Sequence, residues 1–233
     1  MAKDKTFILI DSNAIMHRAF HALPPLTTKQ GEAVSVPYGF ASILLRVIKE
    51  LRPDYIACAF DVAGGTFRDE IFDRYKATRK KPEQEFYDQI DKAKDVARAM
   101  NIPIYELSGY EADDVIGTIV TLVDEEKEGI TTYVVTGDMD ALQLIDKRVK
   151  IYTLRKGISE TAIYDEEKVK ERYGFSSGQV VDFKALRGDA SDNIPGVRGI
   201  GEKTATIILG EFGSLDDLYA RIESGDMGSL RPK

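Results

Sequence analysis

Phe7-Ile8-Leu9-Ile10-Asp11 decides the fold: a short apolar run, partly β-branched, that ends abruptly in a carboxylate. Its length and composition suit a strand buried on both faces, as in parallel sheets. The arrangement recurs. Tyr55-Ile56-Ala57-Cys58-Ala59-Phe60 runs into Asp61, and Thr132-Tyr133-Val134-Val135 runs through Thr136-Gly137 into Asp138, with Asp140 close behind. A short strand over Ile104 to Leu107 is followed by Gly109-Tyr110-Glu111-Ala112-Asp113-Asp114, and another strand is expected over Val149 to Leu154.

Between these runs the apolar spacing is helical. Phe40, Ile43, Leu44, Val47, Ile48 and Leu51 form one stripe, stopped by Arg52-Pro53, and Val115, Ile116, Ile119, Val120 and Val123 form another. Asp124 to Gly129 reads as a polar turn. Further helices are expected over Phe86 to Met100, Glu166 to Tyr173 and Gln179 to Leu186, from near Glu202, and after Ser214, which with Asp217 caps a last helix. Alternating strands and helices imply an α/β fold with a mostly parallel sheet flanked by helices, and ligands bind such sheets beyond the strands' carboxyl ends.

Asp11, Asp61, Asp138 and Asp140 stand at those ends, and Glu111, Asp113 and Asp114 can reach the same edge. One acid after a strand is ordinary turn chemistry, and one or two at a helix start are ordinary capping. Their coincidence over four strands exceeds both needs. Crowded carboxylates repel unless a cation lies between them, and with no Cys or His set to suggest zinc, oxygen-liganded magnesium or manganese is expected. Two ions about 4 Å apart activate a water and stabilise the leaving oxygen of a phosphodiester. On a helix Glu111 and Asp114 share a face while Asp113 is turned by about 100°.

The chain has 233 residues and a net charge of −7, enough length for a sizeable core without staples. No apolar run approaches a membrane span, and the start lacks the apolar core of a signal peptide, so a cytoplasmic protein is expected. Cys58, in an apolar run, is expected to be a buried small hydrophobe. The negative charge argues against a nucleic-acid partner only if it is spread evenly, and Arg74 to Lys81 holds Arg74, Lys76, Arg79, Lys80 and Lys81 with no acid.

That basic run lies within a segment from Phe67 to Tyr87 expected to open as a helix at a Thr66–Asp69 capping box and to break at Pro82. Its interleaved aromatic residues and cations suit a solvated face or a single strand of nucleic acid. Near the C-terminus, Gly188 to Gly196 leads into Gly199-Ile200-Gly201, a glycine hairpin between helices whose backbone N–H groups suit DNA phosphates. His17 and His21 have a zinc-compatible spacing, but Arg18 stands where a metalloprotease needs Glu, so surface or packing histidines are the better reading. Asn13 stands where a haloacid-dehalogenase-type phosphatase wants a second Asp, and no Gly-x-x-x-x-Gly-Lys-Ser/Thr loop is present, which leaves two other phosphate chemistries less well supported. A receiver-like signalling domain would need neither the basic run nor the hairpin.

Ile10-Asp11-Ser12, Ala59-Phe60-Asp61, Thr66-Phe67-Arg68, Tyr75 to Arg79, Gly109 to Asp114, Thr136 to Asp140 and Gly188 to Ala205 together resemble the bacterial 5′-nuclease domain at the N-terminus of DNA polymerase I, related to flap endonucleases. The resemblance runs from about residue 6 to about 220. It implies a PIN-like 5′-nuclease fold: an α/β nuclease core over residues 1–175 with a helical arch at about 62–88, then a helix-hairpin-helix DNA-binding region over 176–233, truncated at its C-terminus. It implies a magnesium- or manganese-dependent 5′→3′ exonuclease and 5′-flap endonuclease using two or more ions.

By position, Asp11, Asp61, Glu111, Asp113, Asp114, Asp138, Asp140, Asp189 and Asp192 match the metal-site acids. Glu111 and Asp113 are expected to touch metal, with Asp114 acting through water or by orienting a neighbour. Lys76 and Arg79 match residues near the scissile phosphate. Arg18, Arg68, Arg74, Tyr75, Lys80, Gly199, Gly201, Lys203 and Thr204 match DNA-binding positions, with a potassium ion implied at the hairpin. The implied partner is DNA with a 5′ end or flap, an RNA primer strand included, bound by a monomer that is fused to or works with a polymerase. Ser12 stands where many members have Gly, and His17 where an aromatic residue is common. A non-catalytic junction-binding module and a PIN-like ribonuclease are the alternatives.

Overall fold

The computed structural model describes residues 4–79, 82–126, 129–157 and 160–225. They form two compact units. One holds residues 1–73 and 80–165, the other residues 74–79 and 166–233.

The first unit, the core unit, is built on six strands: β1 (Lys5–Asp11), β2 (Tyr55–Ala59), β3 (Ile104–Tyr105), β4 (Ile130–Thr136), β5 (Val149–Lys156) and β6 (Glu160–Tyr164). Their order across the sheet is β3-β2-β1-β4-β5-β6. All neighbours are parallel except β5 and β6, which are antiparallel. β1 pairs with both β2 and β4, and as an interior strand it must be apolar on both faces, which is why Ile8, Leu9 and Ile10 are wholly buried. Each such side chain contributes roughly 1.5–3 kcal/mol on burial. The chain builds outward from β1 through β2 to β3, then restarts at β4 on the other side. The topological switch point therefore lies between β1 and β4.

The core unit's helices are α1 (Ser12–Ala22), α2 (Ser35–Leu51), α3 (Phe67–Ile71), α4 (Gln84–Tyr87), α5 (Ile90–Ala99) and α6 (Ala112–Glu126). α2 buries Phe40, Ile43, Leu44 and Val47 and ends at Arg52, whose left-handed φ of 47° closes the helix ahead of Pro53. His17 stacks on Phe86 with ring centroids 4.2 Å apart, in keeping with a packing role. Cys58 is fully buried, and burial pushes its thiol up to about 12.

Two expectations need correction, and one strand lies outside them. The helix that opens at Phe67 does not continue toward Pro82: the segment to Tyr87 is helical only in α3 and α4, and among the described residues between them it turns, because Phe72 is extended and Lys76 takes a left-handed φ of 54°. The polar stretch after Val123 does not start a turn at Asp124, since α6 continues to Glu126. β6 was not anticipated at all.

The second unit, the helical unit, comprises α7 (Glu166–Tyr173), α8 (Val180–Arg187), α9 (Glu202–Phe212), α10 (Leu215–Ser224) and the segment 74–79. Its small core is Val169, Phe175, Val180, Phe183, Leu186, Ala205, Ile208, Leu209 and Phe212. Among the described residues no helix is long and apolar enough to cross a membrane.

Candidate active site

In the core unit the acids at the strand ends also accept from backbone N–H groups at helix starts. Asp11 accepts from the Ala14 N–H at 3.0 Å, and its other oxygen accepts from the Thr136 hydroxyl at 2.6 Å. Asp61 accepts from the Ala112 N–H at 2.6 Å, at the start of α6, and from the Asn13 amide at 2.7 Å. Asp138 accepts from the Asp140 N–H at 2.9 Å, opening the short 3-10 helix Met139–Leu144. Capping thus fixes the carboxylates without neutralising them. The part that Thr136 and Asn13 play in holding Asp11 and Asp61 was not legible in the sequence, since a single Thr or Asn carries no pattern that names its partner.

The electrostatic consequence is severe. Asp11 is withdrawn from water, which pushes its carboxyl up to about 6 even though Thr136 and Ala14 bond to it, with Asp61 and Asp138 adding repulsion. Asp113 goes further, to about 8. Although part of the residue meets solvent, the protein packed around its carboxyl and then the charges of Asp11, Asp138, Asp61 and Glu111 disfavour its ionised form. These acids from β1, β2, β4 and α6 therefore face one another at the switch point. A donor set made only of carboxylate oxygens, crowded to the point of holding protons near neutrality, is what a hard divalent cation fits.

Asp114 has a different environment. The Arg68 guanidinium grips it in bidentate fashion at 2.7 and 2.8 Å, and the Glu111 N–H donates to it at 2.9 Å. Arg68 also lies 3.9 Å from Glu111. The pair ties α3 to the start of α6 and fixes the backbone that carries Glu111 and Asp113. Arg18, on α1, donates to the Leu154 carbonyl and lines an open cavity of about 390 Å³ with His17, His21 and Asp138.

In the helical unit, Asp189 and Asp192 sit on a closed loop. Asp189 and Ile194 exchange both backbone hydrogen bonds at 2.8 Å, and Gly188 and Gly196 pack so closely that a Cβ on Gly196 would stand 2.3 Å from the Gly188 nitrogen. Partial burial works against the charge of Asp189, but hydrogen bonds from Lys184 (2.6 Å) and Ser191 hold its carboxyl well below the usual range. Asp192 pairs with Arg79 and accepts from the Tyr75 hydroxyl at 3.3 Å. The Lys76 N–H donates to the Asp192 carbonyl at 3.0 Å, and Asn193 donates to the Arg74 carbonyl at 2.8 Å. Lys184 and Asn193 are further partners that the sequence did not announce. Lys80 lies outside the described residues.

Gly199, Gly201, Lys203 and Thr204 are exposed at the start of α9. Gly199 has φ 86°, and Gly201 is the N-cap of α9 and makes no side-chain cap hydrogen bond, so the first-turn amides lack the partner a capping side chain would supply.

The family model described as "5′-3′ exonuclease, N-terminal resolvase-like domain" matches residues 6–174, and "5′-3′ exonuclease, C-terminal SAM fold" matches residues 175–233. The chain belongs to the 5′-3′ exonuclease family. Its members are hydrolytic nucleases. Among curated relatives, DNA polymerase I of Chloroflexus aurantiacus is 46% identical over 222 residues, covering 93% of this chain and 23% of the relative. DNA polymerase I of Bacillus subtilis is 40% identical over 233 residues, covering all of this chain and 26% of the relative. The chain thus spans about a quarter of the length of these polymerases.

Among solved structures, the bacteriophage T5 5′-exonuclease with divalent zinc ions superposes with a TM-score of 0.78 at 22% identity, covering 94% of this chain and 79% of that one. The T5 flap endonuclease in a pseudo-enzyme-product complex with DNA and metal ions gives 0.77 at 21% identity, with the same coverage. This member of the 5′-3′ exonuclease family thus shares their fold, a mostly parallel sheet with flanking helices followed by a SAM-like helical region.

Proposed function

We propose that the chain is a magnesium-dependent 5′→3′ exonuclease and 5′-flap endonuclease acting on DNA in replication and repair. The observation that carries this reading is the convergence of Asp11, Asp61, Asp113 and Asp138 at the sheet's switch point, with Asp113 holding a proton up to about 8 because of its surroundings. Asp11, Asp61, Glu111, Asp113, Asp138 and Asp140 would hold two or more Mg2+ or Mn2+ ions, with Asp189 and Asp192 of the helical unit added by their motif. When bound, such ions activate water and stabilise the charge of an in-line displacement at phosphorus. Asp114, gripped by Arg68, positions Glu111 and Asp113.

Lys76 and Arg79 are the cations proposed for the scissile phosphate. Arg18, Arg68, Arg74, Tyr75 and Lys80 would follow the single strand. Gly199, Gly201, Lys203 and Thr204, with amides at a helix start, would bind duplex phosphates, with a potassium ion among the loop carbonyls. In this reading the protein works as a cytoplasmic monomer on 5′ flaps, RNA primer ends included, beside or joined to a polymerase like those of its relatives.

The test is a labelled 5′-flap DNA incubated with magnesium or with EDTA. Release of the flap as a short oligonucleotide only with magnesium is expected. Binding without cutting under both conditions would mean a junction-binding module, and preference for an RNA strand with no flap requirement would mean a PIN-like ribonuclease.

A further inference from the structure

Beside the acids of the core unit lies a second cavity, of about 600 Å³, between α3, α6 and the 3-10 helix Met139–Leu144. Its rim carries two exposed aromatic rings, Phe67 and Tyr110, with centroids 5.5 Å apart. The Arg68 guanidinium stacks on Phe67 at 4.6 Å, and the Phe67 N–H donates to the Gly109 carbonyl, so the rings are held. Apart from the Arg68 guanidinium, which is paired with Asp114 and lies over Phe67, the polar groups inside present oxygens. Thr118 and Thr121 donate their hydroxyl protons to carbonyls one turn back, and Gln143 donates its amide N–H to the Asp140 carbonyl. Lone pairs remain to accept from a ligand.

Gly117 is the informative residue. It sits inside α6, where glycine is less stable than alanine, yet a Cβ there would meet only the Leu144 side chain at an ordinary 3.8 Å. Neither packing nor a positive φ requires it. Its effect is to keep the floor of the cavity empty.

We infer that this cavity is a base-binding subsite: it takes one unstacked nucleobase of the single strand next to the scissile phosphate, against Phe67 and Tyr110 and over Gly117. A neutral base fits where a phosphate would not, because Asp113, Asp114 and Asp140 line the same wall. The oxygen-rich interior favours bases with exocyclic amino groups. The inference rests on the nuclease reading for the position of the strand.

The test places 2-aminopurine at successive positions of a 5′ single-stranded arm and follows its fluorescence in EDTA, where no cutting competes. One arm position is expected to be quenched on binding to the wild type and to Gly117→Ala. Gly117→Leu, which fills the floor, should lose the quench and bind the armed DNA about tenfold more weakly, the effect of one stacked base, while binding blunt duplex as the wild type does. Should Gly117→Leu fail to fold, Phe67→Ala, at an exposed position, must give the same loss. An unchanged quench and affinity in Gly117→Leu would overturn the inference, as would an equal loss in Gly117→Ala, whose methyl leaves the cavity open. Cutting with magnesium is scored separately. Its absence beside an intact quench would sink the nuclease reading and spare the subsite, and cutting without any quench would do the reverse.

Discussion

At the scale of single residues, the raised carboxyls set a pH dependence whose sign is fixed. Their surroundings push the Asp11 and Asp113 carboxyls up to about 6 and about 8 in the folded chain, from the ordinary carboxylate value of 3.8 that they regain on unfolding. The folded state therefore binds more protons across that interval, and the stability these groups contribute is fully present below about 4 and lost as pH rises to about 8. In EDTA the melting temperature should fall from pH 5 to pH 8. Magnesium should raise it most at the alkaline end, where the carboxylates are charged and need a counter-ion. A melting curve indifferent to magnesium at pH 8 would contradict the assignment.

Asp11, Asp61 and Asp138 were legible in the sequence because each follows a buried run, whereas Asp113 stands in the first turn of α6 after a strand that is not buried. The division of labour among Glu111, Asp113 and Asp114 was not legible, because it depends on Arg68, which is distant in the chain and gives no periodic signal. Asp192 is a similar case: its partner Arg79 is brought to it only by the fold of the helical unit.

Elements obey the same division. β1, β2 and β4 were readable because interior parallel strands must be continuously apolar, and α2 and α6 because one face of each is buried. β6 escaped because an edge strand paired on one side alternates weakly: only Tyr164 of Glu160–Tyr164 is buried. The turns that follow α3 escaped because local pattern cannot foresee a left-handed Lys76. The glycine-punctuated loop was read correctly as special, and its two kinds of glycine should now separate experimentally. Gly196→Ala places a methyl 2.3 Å from backbone that cannot yield, so it should destabilise the helical unit by more than about 2 kcal/mol and displace Asp189 and Asp192. Gly199→Ala meets open space and pays only for its φ of 86°, so about 1–2 kcal/mol is expected. Denaturant melts of the two variants check the difference, and equal losses would mean that the loop is not closed as described.

At the scale of the molecule, a net charge of −7 is compatible with a nucleic-acid substrate because the charge is sorted. Acids gather at the switch point of the core unit, whereas the exposed start of α9 offers amides and Lys203. Such sorting lets one acidic chain hold cations in one place and phosphates in another. The account's central claim is that the carboxylates at the switch point are the cutting site. The most direct test is the magnesium-dependent cleavage rate of a 5′-flap DNA by the wild type and by Asp138→Ala, with DNA binding measured in parallel. The account predicts a rate lower by about 100-fold or more with binding largely kept, and cleavage by Asp138→Ala at the wild-type rate would contradict it.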